Sequence, residues 1–382
     1  MDTEKKNGKK GLLSNQLSLQ LGRAYTLLKR EWNARLMRPV NACLEPTYRC
    51  NLKCQTCFFG VPKNLPQMGY EEGKEELSFE EQCSAIDQLK KLGVSSITYI
   101  GGETLLRKDS LDVMKYMKDQ GLFCLLITNG TMVTPEVAKK LVEIGVDRIV
   151  VSLDALDEKF DIVRGGKKAF NRIKNAITAL LEERSKKGSS HPFVGFHMTI
   201  SKLNIEDIVP LVSFSKEKGV DEITMQYFSE TAKELVDKTV FEGEVIGSPR
   251  FIPRNGSLLL SGEQIKELRE ALKQVDSSIY VKMLHSLSDE ELAKGYFPVK
   301  KCYSTRDTII INPFGDVYLC PNIDRYVIGN IREEPLEKIW GNEKHMKLVR
   351  HLSKNLFEVC RSCCSHLHNM TPFQLFKIAF FH

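Results

Sequence analysis

Between residues 78 and 227 two hydrophobic periods take turns along the chain. Apolar positions three and four apart predict helices over 78–92, 110–120, 134–144, 168–183 and 205–218. Short apolar runs between them predict strands at 96–100, 122–128, 147–153, 193–200 and 222–227. The helices open at or near a Ser, Thr, Asp or Asn cap, or end at a glycine such as Gly93, Gly121, Gly145 or Gly219. With a further strand at 41–45, six strands alternate with helices, so the sheet is expected to be parallel. Six units are fewer than the eight of a closed barrel. The fold class predicted is α/β: a partial (β/α)6 TIM-like barrel over 40–228.

The flanks follow other patterns. Residues 1–39 read as a basic amphipathic helix: Leu17, Leu21, Ala24, Leu28 and Trp32 form a stripe, flanked by Arg23, Lys29, Arg30, Arg35 and Arg38. Such a stripe packs on a domain or lies on an anionic membrane surface. Residues 60–76, with Pro62, Pro66, Gly69 and Gly73, read as a loop of the length used for lids. A bridging segment spans 229–300, with one clear helix at 261–274. A hairpin follows, 308–312 and 317–320 around Pro313-Phe314-Gly315-Asp316. Short helices at 335–340 and 344–353 complete a small C-terminal β-hairpin/helix domain over 301–366. Residues 367–382 form an apolar tail.

Composition narrows the class. Of 382 residues, 42% are apolar and 27% charged, which is ordinary for a soluble globular protein. No run approaches the roughly 18–20 apolar residues of a membrane span, and the polar start lacks a signal-peptide core. A cytoplasmic location is expected, peripheral at the inner membrane face if the basic arm binds lipid. The net charge of +6 is spread along the chain and does not argue for nucleic acid. Eleven cysteines in a cytosolic chain point to metal rather than to a disulfide framework.

Cys50, Cys54 and Cys57 stand at gaps of three and two residues. Three such thiolates can converge on one cubane iron–sulfur cluster and leave one iron open. The alternatives are zinc, which usually takes four protein ligands, and three buried thiols. Other polar residues also fall just after predicted strands, where βα barrels place their chemistry. These are Gly101-Gly102-Glu103-Thr104, Thr128-Asn129-Gly130 and Ser152-Leu153-Asp154.

The cysteine spacing followed by Gly101-Gly102-Glu103 resembles the radical S-adenosylmethionine (radical SAM) enzymes over about residues 40–228. The resemblance implies a [4Fe–4S] cluster on Cys50, Cys54 and Cys57, with the methionine moiety of S-adenosylmethionine on the free iron. It implies that Gly101, Gly102 and Glu103 meet the methionine amino group, and that Ser152 and Asp154 contact the ribose or carboxylate. Asn129 would support that pocket and Arg164 is a further partner for the carboxylate. Glu103, Ser152, Asp154 and Asn129 also admit plain readings as helix-terminal, capping or turn residues. The implied chemistry is reductive cleavage to a 5′-deoxyadenosyl radical that takes hydrogen from an unactivated C–H. A low-potential donor such as flavodoxin or ferredoxin would feed it. Two positions depart from the pattern: Thr56 replaces an aromatic residue beside the adenine, and Thr104 replaces a proline.

Cys302, Gly315 and Cys320 resemble the opening of the C-terminal extension called SPASM, and Cys360-Arg361-Ser362-Cys363 resembles its Cys-x-x-Cys pair. Where a further cysteine is expected stands Asn369. The resemblance is to the shortened "twitch" variant, implying one auxiliary [4Fe–4S] cluster on Cys302, Cys320, Cys360 and Cys363. Cys364 is spare or replaces Cys363, and zinc is the alternative metal. Cys43, Cys83 and Cys124 read as buried fillers. The substrate expected is a peptide or small molecule undergoing oxidation or another modification. The second reading is a lipid-linked or membrane-bound substrate, motivated by the basic arm and the apolar tail.

Overall fold

The computed structural model describes residues 36–59, 74–253, 256–276 and 278–381, together with Trp32 and Pro66. Most of the basic arm and of the 60–76 loop lies outside the described residues.

The alternating pattern folds as expected. β1 (Asn41–Leu44), β2 (Ser96–Tyr99), β3 (Phe123–Thr128), β4 (Arg148–Ser152), β5 (Phe193–Ile200) and β6 (Glu222–Tyr227) pair in sequence order, all parallel. The connecting helices are α1 (Phe79–Lys91), α2 (Ser110–Asp119), α3 (Pro135–Ile144), α4 (Asp157–Arg164), α5 (Ala169–Lys186) and α6 (Ile208–Lys218). Local signals set their ends. Ser78 and Glu81 form a reciprocal capping box at the start of α1. Thr134 caps α3 ahead of Pro135, and Gly145 closes it at φ 78°. Helix α4 is not among the predicted elements. It has eight residues, mostly charged, and buries only Phe160, Val163 and Arg164, so its apolar period is too short to detect.

Residues 229–300 are more ordered than a bridge. They hold helices Lys233–Lys238, Gly262–Lys273, Ile279–Ser286 and Asp289–Lys294, and a two-residue strand pair, β7 (Val240–Phe241) and β8 (Glu244–Val245). The tail forms a helix, Pro372–Phe381, against Ile279–Ser286. Its Leu375 and Ile378 are buried in the main core while Phe373 is exposed. No helix among the described residues is long and apolar enough to cross a membrane.

The C-terminal hairpin does not make a sheet of its own. β9 (Thr308–Ile311) runs parallel to β1, with Asn41 opposite Thr308 and Leu44 opposite Ile311. β10 (Asp316–Tyr318) and β11 (Gly329–Asn330) follow antiparallel, giving a nine-stranded sheet ordered β11-β10-β9-β1-β2-β3-β4-β5-β6. The physical cause is the open barrel. A six-stranded barrel leaves the outer edge of β1 with unpaired backbone groups, and β9 satisfies them. The hairpin turn is fixed by Asn312, whose Oδ1 accepts from the Phe314 and Asp316 N–H groups, and by Gly315 at φ 86°.

Candidate active site between two thiol groups

The chain leaving β1 carries Cys50, Cys54 and Cys57 and rests on the loop after β2. The Gly102 N–H donates to Thr47 O (2.8 Å) and the Glu103 N–H to Arg49 O (2.9 Å). A Cβ on Gly101 would stand 2.4 Å from Thr47 O, and one on Gly102 2.2 Å from Arg49 O. Glycine is therefore demanded here by backbone approach. On its other side the cysteine loop is held by α4. The Lys53 and Gln55 N–H groups donate to Arg164 O and Val163 O (3.2 and 2.9 Å), and a Cβ on Gly165 would meet Lys53 O at 2.6 Å.

None of the three thiols is in a disulfide, and their surroundings suit sulfur ligands. Burial raises Cys50 to about 11 and Cys54 to about 12, with neighbouring cysteines adding to it. Donors already aim at these sulfurs: Asn129 Nδ2 at Cys50 and Arg164 Nη1 at Cys54, each at 3.8 Å. Arg164 is buried. Burial opposes its charge, yet Asp154 and then Cys54 outweigh it and hold it upward. Its Nε lies 2.7 Å from Asp154 Oδ2, and Asp154 Oδ1 accepts from the Thr199 N–H. Among the described residues no three or more His, Cys, Asp or Glu side chains converge on a single ion. The sulfurs of a cubane are divided among several irons, so that finding does not bear on a cluster.

A cavity of about 340 Å³ opens beside this loop. Cys57, Phe58, Phe59, Gly101, Ser152, Arg164, His197, Thr199 and Gln226 line it, as do Glu45, Arg250, Pro321 and Cys364. The predicted residues therefore divide. Gly101, Ser152 and Arg164 reach the cavity, whereas Gly102, Glu103, Asn129 and Asp154 stand behind it. Glu103 is fully buried, and its oxygens accept from the Asn129 N–H (2.7 Å), the Thr128 hydroxyl (2.8 Å) and the Leu105 N–H (3.2 Å). Burial raises its carboxyl against the pull of those bonds. From strands β5 and β6, His197, Gln226 and Tyr227 face the cavity. Met225 instead lines a separate pocket against α6 and the Ile279–Ser286 helix.

His197 is neutral and oriented. The Thr224 hydroxyl donates to Phe196 O, so at 2.8 Å it accepts from His197 Nδ1–H and leaves Nε2 as an acceptor. Burial lowers His197 to about 4. A depressed histidine contributes stability that is complete above its unfolded value near 6.5 and is lost as pH falls through 4. His197→Gln is therefore expected to flatten the pH dependence of unfolding between pH 6.5 and 4, by up to about 1.4 kcal/mol per pH unit. Urea titrations at several pH values check this.

The far side of the cavity belongs to the C-terminal cysteines. Burial raises Cys320, and Cys364, Cys302, Cys363 and Cys360 add to it in that order, so five thiols gather at one place. None is in a disulfide. Between Cys360 and Cys363 the Ser362 hydroxyl is fully buried without a hydrogen-bond partner. An all-sulfur donor set suits an iron–sulfur cluster, and the orphaned hydroxyl lies in the turn that carries two of its thiols.

Sequence reading missed a buried charged knot joining the two thiol groups. Arg250 donates to Glu45 Oε1 (2.9 Å), Glu45 Oε2 (3.3 Å) and the Tyr48 hydroxyl (2.7 Å), and its Nε pairs with Asp324 (2.6 Å). Tyr48 and Tyr318 both donate to Glu45 Oε2 at 2.7 Å. Burial raises Asp324, with Arg250 opposing. Arg250 lies in a single 3-10 turn, Pro249–Phe251, too short for any periodicity to mark it as interior.

The sequence profile of the radical SAM superfamily matches residues 44–215, and that of an iron–sulfur cluster-binding domain, SPASM, matches 302–364. The chain is 29% identical over 301 residues to Fe-coproporphyrin III synthase of Methanosarcina barkeri, covering 77% of this chain and 71% of that protein. It is 24% identical over 352 residues to the mycofactocin maturase MftC of Mycolicibacterium smegmatis, covering 88% and 81%. Streptococcus suis SuiB bound to its precursor peptide SuiA shares the fold, with TM-score 0.58 at 16% identity over 87% of this chain and 71% of that one. The chain belongs to the radical SAM superfamily and is an enzyme with a SPASM domain. Its cofactors are accordingly a [4Fe–4S] cluster, S-adenosylmethionine and an auxiliary iron–sulfur cluster.

Proposed function

We propose that this enzyme oxidises an unactivated C–H of a peptide or small molecule held between the two metal sites. One observation carries the reading: a single cavity has both Cys57 and Cys364 on its wall, so a substrate there lies beside both thiol groups. The relatives fit that substrate range by name, one being a maturase and one a tetrapyrrole synthase.

Cys50, Cys54 and Cys57 would hold the first cluster, and Cys302, Cys320, Cys360 and Cys363 the auxiliary one. When bound, the first cluster and S-adenosylmethionine supply reductive cleavage of the sulfonium and hydrogen abstraction. The protein's own part is placement. Arg164, fixed by Asp154, offers its remaining donors to a carboxylate, and Ser152 a hydroxyl. Glu103 and Asn129 hold the loops after β2 and β3 together behind Gly101 and Gly102. Phe58, Phe59 and Phe228 make the wall apolar and exclude water. Flavodoxin or ferredoxin is the proposed donor.

Anaerobic reconstitution tests the reading. About eight irons are expected, falling to about four in a Cys50/Cys54/Cys57→Ala variant. Dithionite should yield 5′-deoxyadenosine from the intact enzyme and none from that variant. The auxiliary cluster would take the electron left on the substrate radical after hydrogen abstraction, so about four irons falling to none, with zinc retained, would remove that acceptor and the oxidation with it. Glu103→Gln keeps one acceptor oxygen and turns the other into an amide nitrogen, leaving one or two of the three donors without their acceptor, at about 1–3 kcal/mol each. It is expected to weaken S-adenosylmethionine binding at least tenfold by equilibrium dialysis, with the cluster spectrum retained. Unchanged affinity would rule out that role.

A further inference from the structure

Five thiols gather at the auxiliary site, and four complete a cubane. The side-chain amides beside them distinguish the fifth. Asn369 accepts the Tyr303 and Ser304 N–H groups on Oδ1 (2.7 and 3.1 Å), which fixes the orientation of its amide. Its Nδ2 therefore points at Cys363 Sγ, 3.4 Å away, as a donor. Asn322 is oriented the opposite way. Its Nδ2 donates to Ser362 O (3.1 Å), so its Oδ1 faces Cys364 Sγ at 3.1 Å and can only accept. Both amides are buried, so neither turns freely. A ligand sulfur has no proton to give and gains from N–H donors, while a free thiol has a proton to donate. Gln226, itself on the cavity wall, also holds the Cys364 carbonyl at 2.9 Å.

We infer that the auxiliary cluster takes Cys302, Cys320, Cys360 and Cys363, and that Cys364 remains a protonated thiol on the wall of the substrate cavity, donating to Asn322. The substrate then meets a weak S–H donor and a polarisable sulfur on that side rather than an iron ligand. This rests on the auxiliary-cluster reading above, and the experiment separates the two.

The test uses anaerobically reconstituted full-length enzyme. Cys364→Ala is expected to keep about eight irons, and Cys363→Ala to fall to about four. A second pair covers the case in which Cys363→Ala does not fold. Asn369→Leu removes a hydrogen bond to a ligand sulfur and is expected to lower the midpoint potential of the auxiliary cluster in an EPR-monitored titration. Asn322→Leu is expected to leave that potential unchanged. Iron loss in Cys364→Ala, retention of about eight irons in both cysteine variants, or a potential shift with Asn322→Leu and none with Asn369→Leu would overturn the assignment. About four irons in the unaltered enzyme would instead remove the auxiliary cluster itself, and this inference with it.

Discussion

Arg250→Ala is expected to destabilise the protein by about 3–5 kcal/mol, the range for removing one partner of a buried ion pair. The magnitude follows from what is left behind. The Glu45 and Asp324 side chains are only 7% and 6% exposed, and Arg250 is the cation that pairs with each of them. Without it two carboxylates share one interior, and the Tyr48 hydroxyl loses a donor. The guanidinium also lies 5.0 Å from the centroids of the Tyr48 and Phe59 rings and 5.5 Å from that of Tyr318, so packing is lost with the charge. Arg250→Lys should recover only part of the loss, since one ammonium cannot reproduce the fork that reaches both acids. Urea unfolding of the two variants and of Arg250→Ala/Glu45→Gln measures this. A loss under about 1 kcal/mol for Arg250→Ala would place the knot among pairs that contribute little.

The second large effect is expected at Gly102. Alanine there would put a Cβ 2.2 Å from Arg49 O and 2.6 Å from Tyr48 O, both backbone atoms that no rotamer change can move. Overpacking of this kind costs about 1–3 kcal/mol. The functional loss should be larger, because the residues displaced lead directly into Cys50. Gly102→Ala is expected to lose about four irons and 5′-deoxyadenosine formation while retaining the auxiliary irons. Gly262→Ala is the matched control: nothing lies within 4 Å of its Cβ position, so it should be neutral or slightly stabilising. Full iron content in Gly102→Ala would mean that the cysteine loop tolerates a shifted base.

Periodicity revealed the barrel because each strand and helix carries its own repeat, caps and terminal glycines. It did not reveal α4, which is short and mostly charged, although Arg164 depends on it. It also left open where β9 pairs. The run Ile309-Ile310-Ile311 is equally apolar whether it pairs within a hairpin or also against β1. At the site, spacing singled out the cysteines and glycines because their chemistry depends on local sequence. Glu45, Arg250 and Asp324 are far apart in sequence and meet only through the fold, so nothing local marks them. Sequence also grouped Asp154 and Glu103 with the residues that reach the cavity, whereas both stand one layer behind it, bonded to Arg164 and to the start of the β3 loop.

The pairing of β9 with β1 bears on the electron transfer proposed above for the auxiliary cluster. Cys50, Cys54 and Cys57 follow β1, and Cys320 follows β10, two strands away in one continuous sheet. Adjacent strands are held at about 4.8 Å by their hydrogen bonds. The gap an electron would cross is thus gauged by a backbone ladder rather than by an interdomain linker. A module on a tether could drift and let tunnelling fade, whereas here widening the gap means unzipping β-structure that also anchors the barrel.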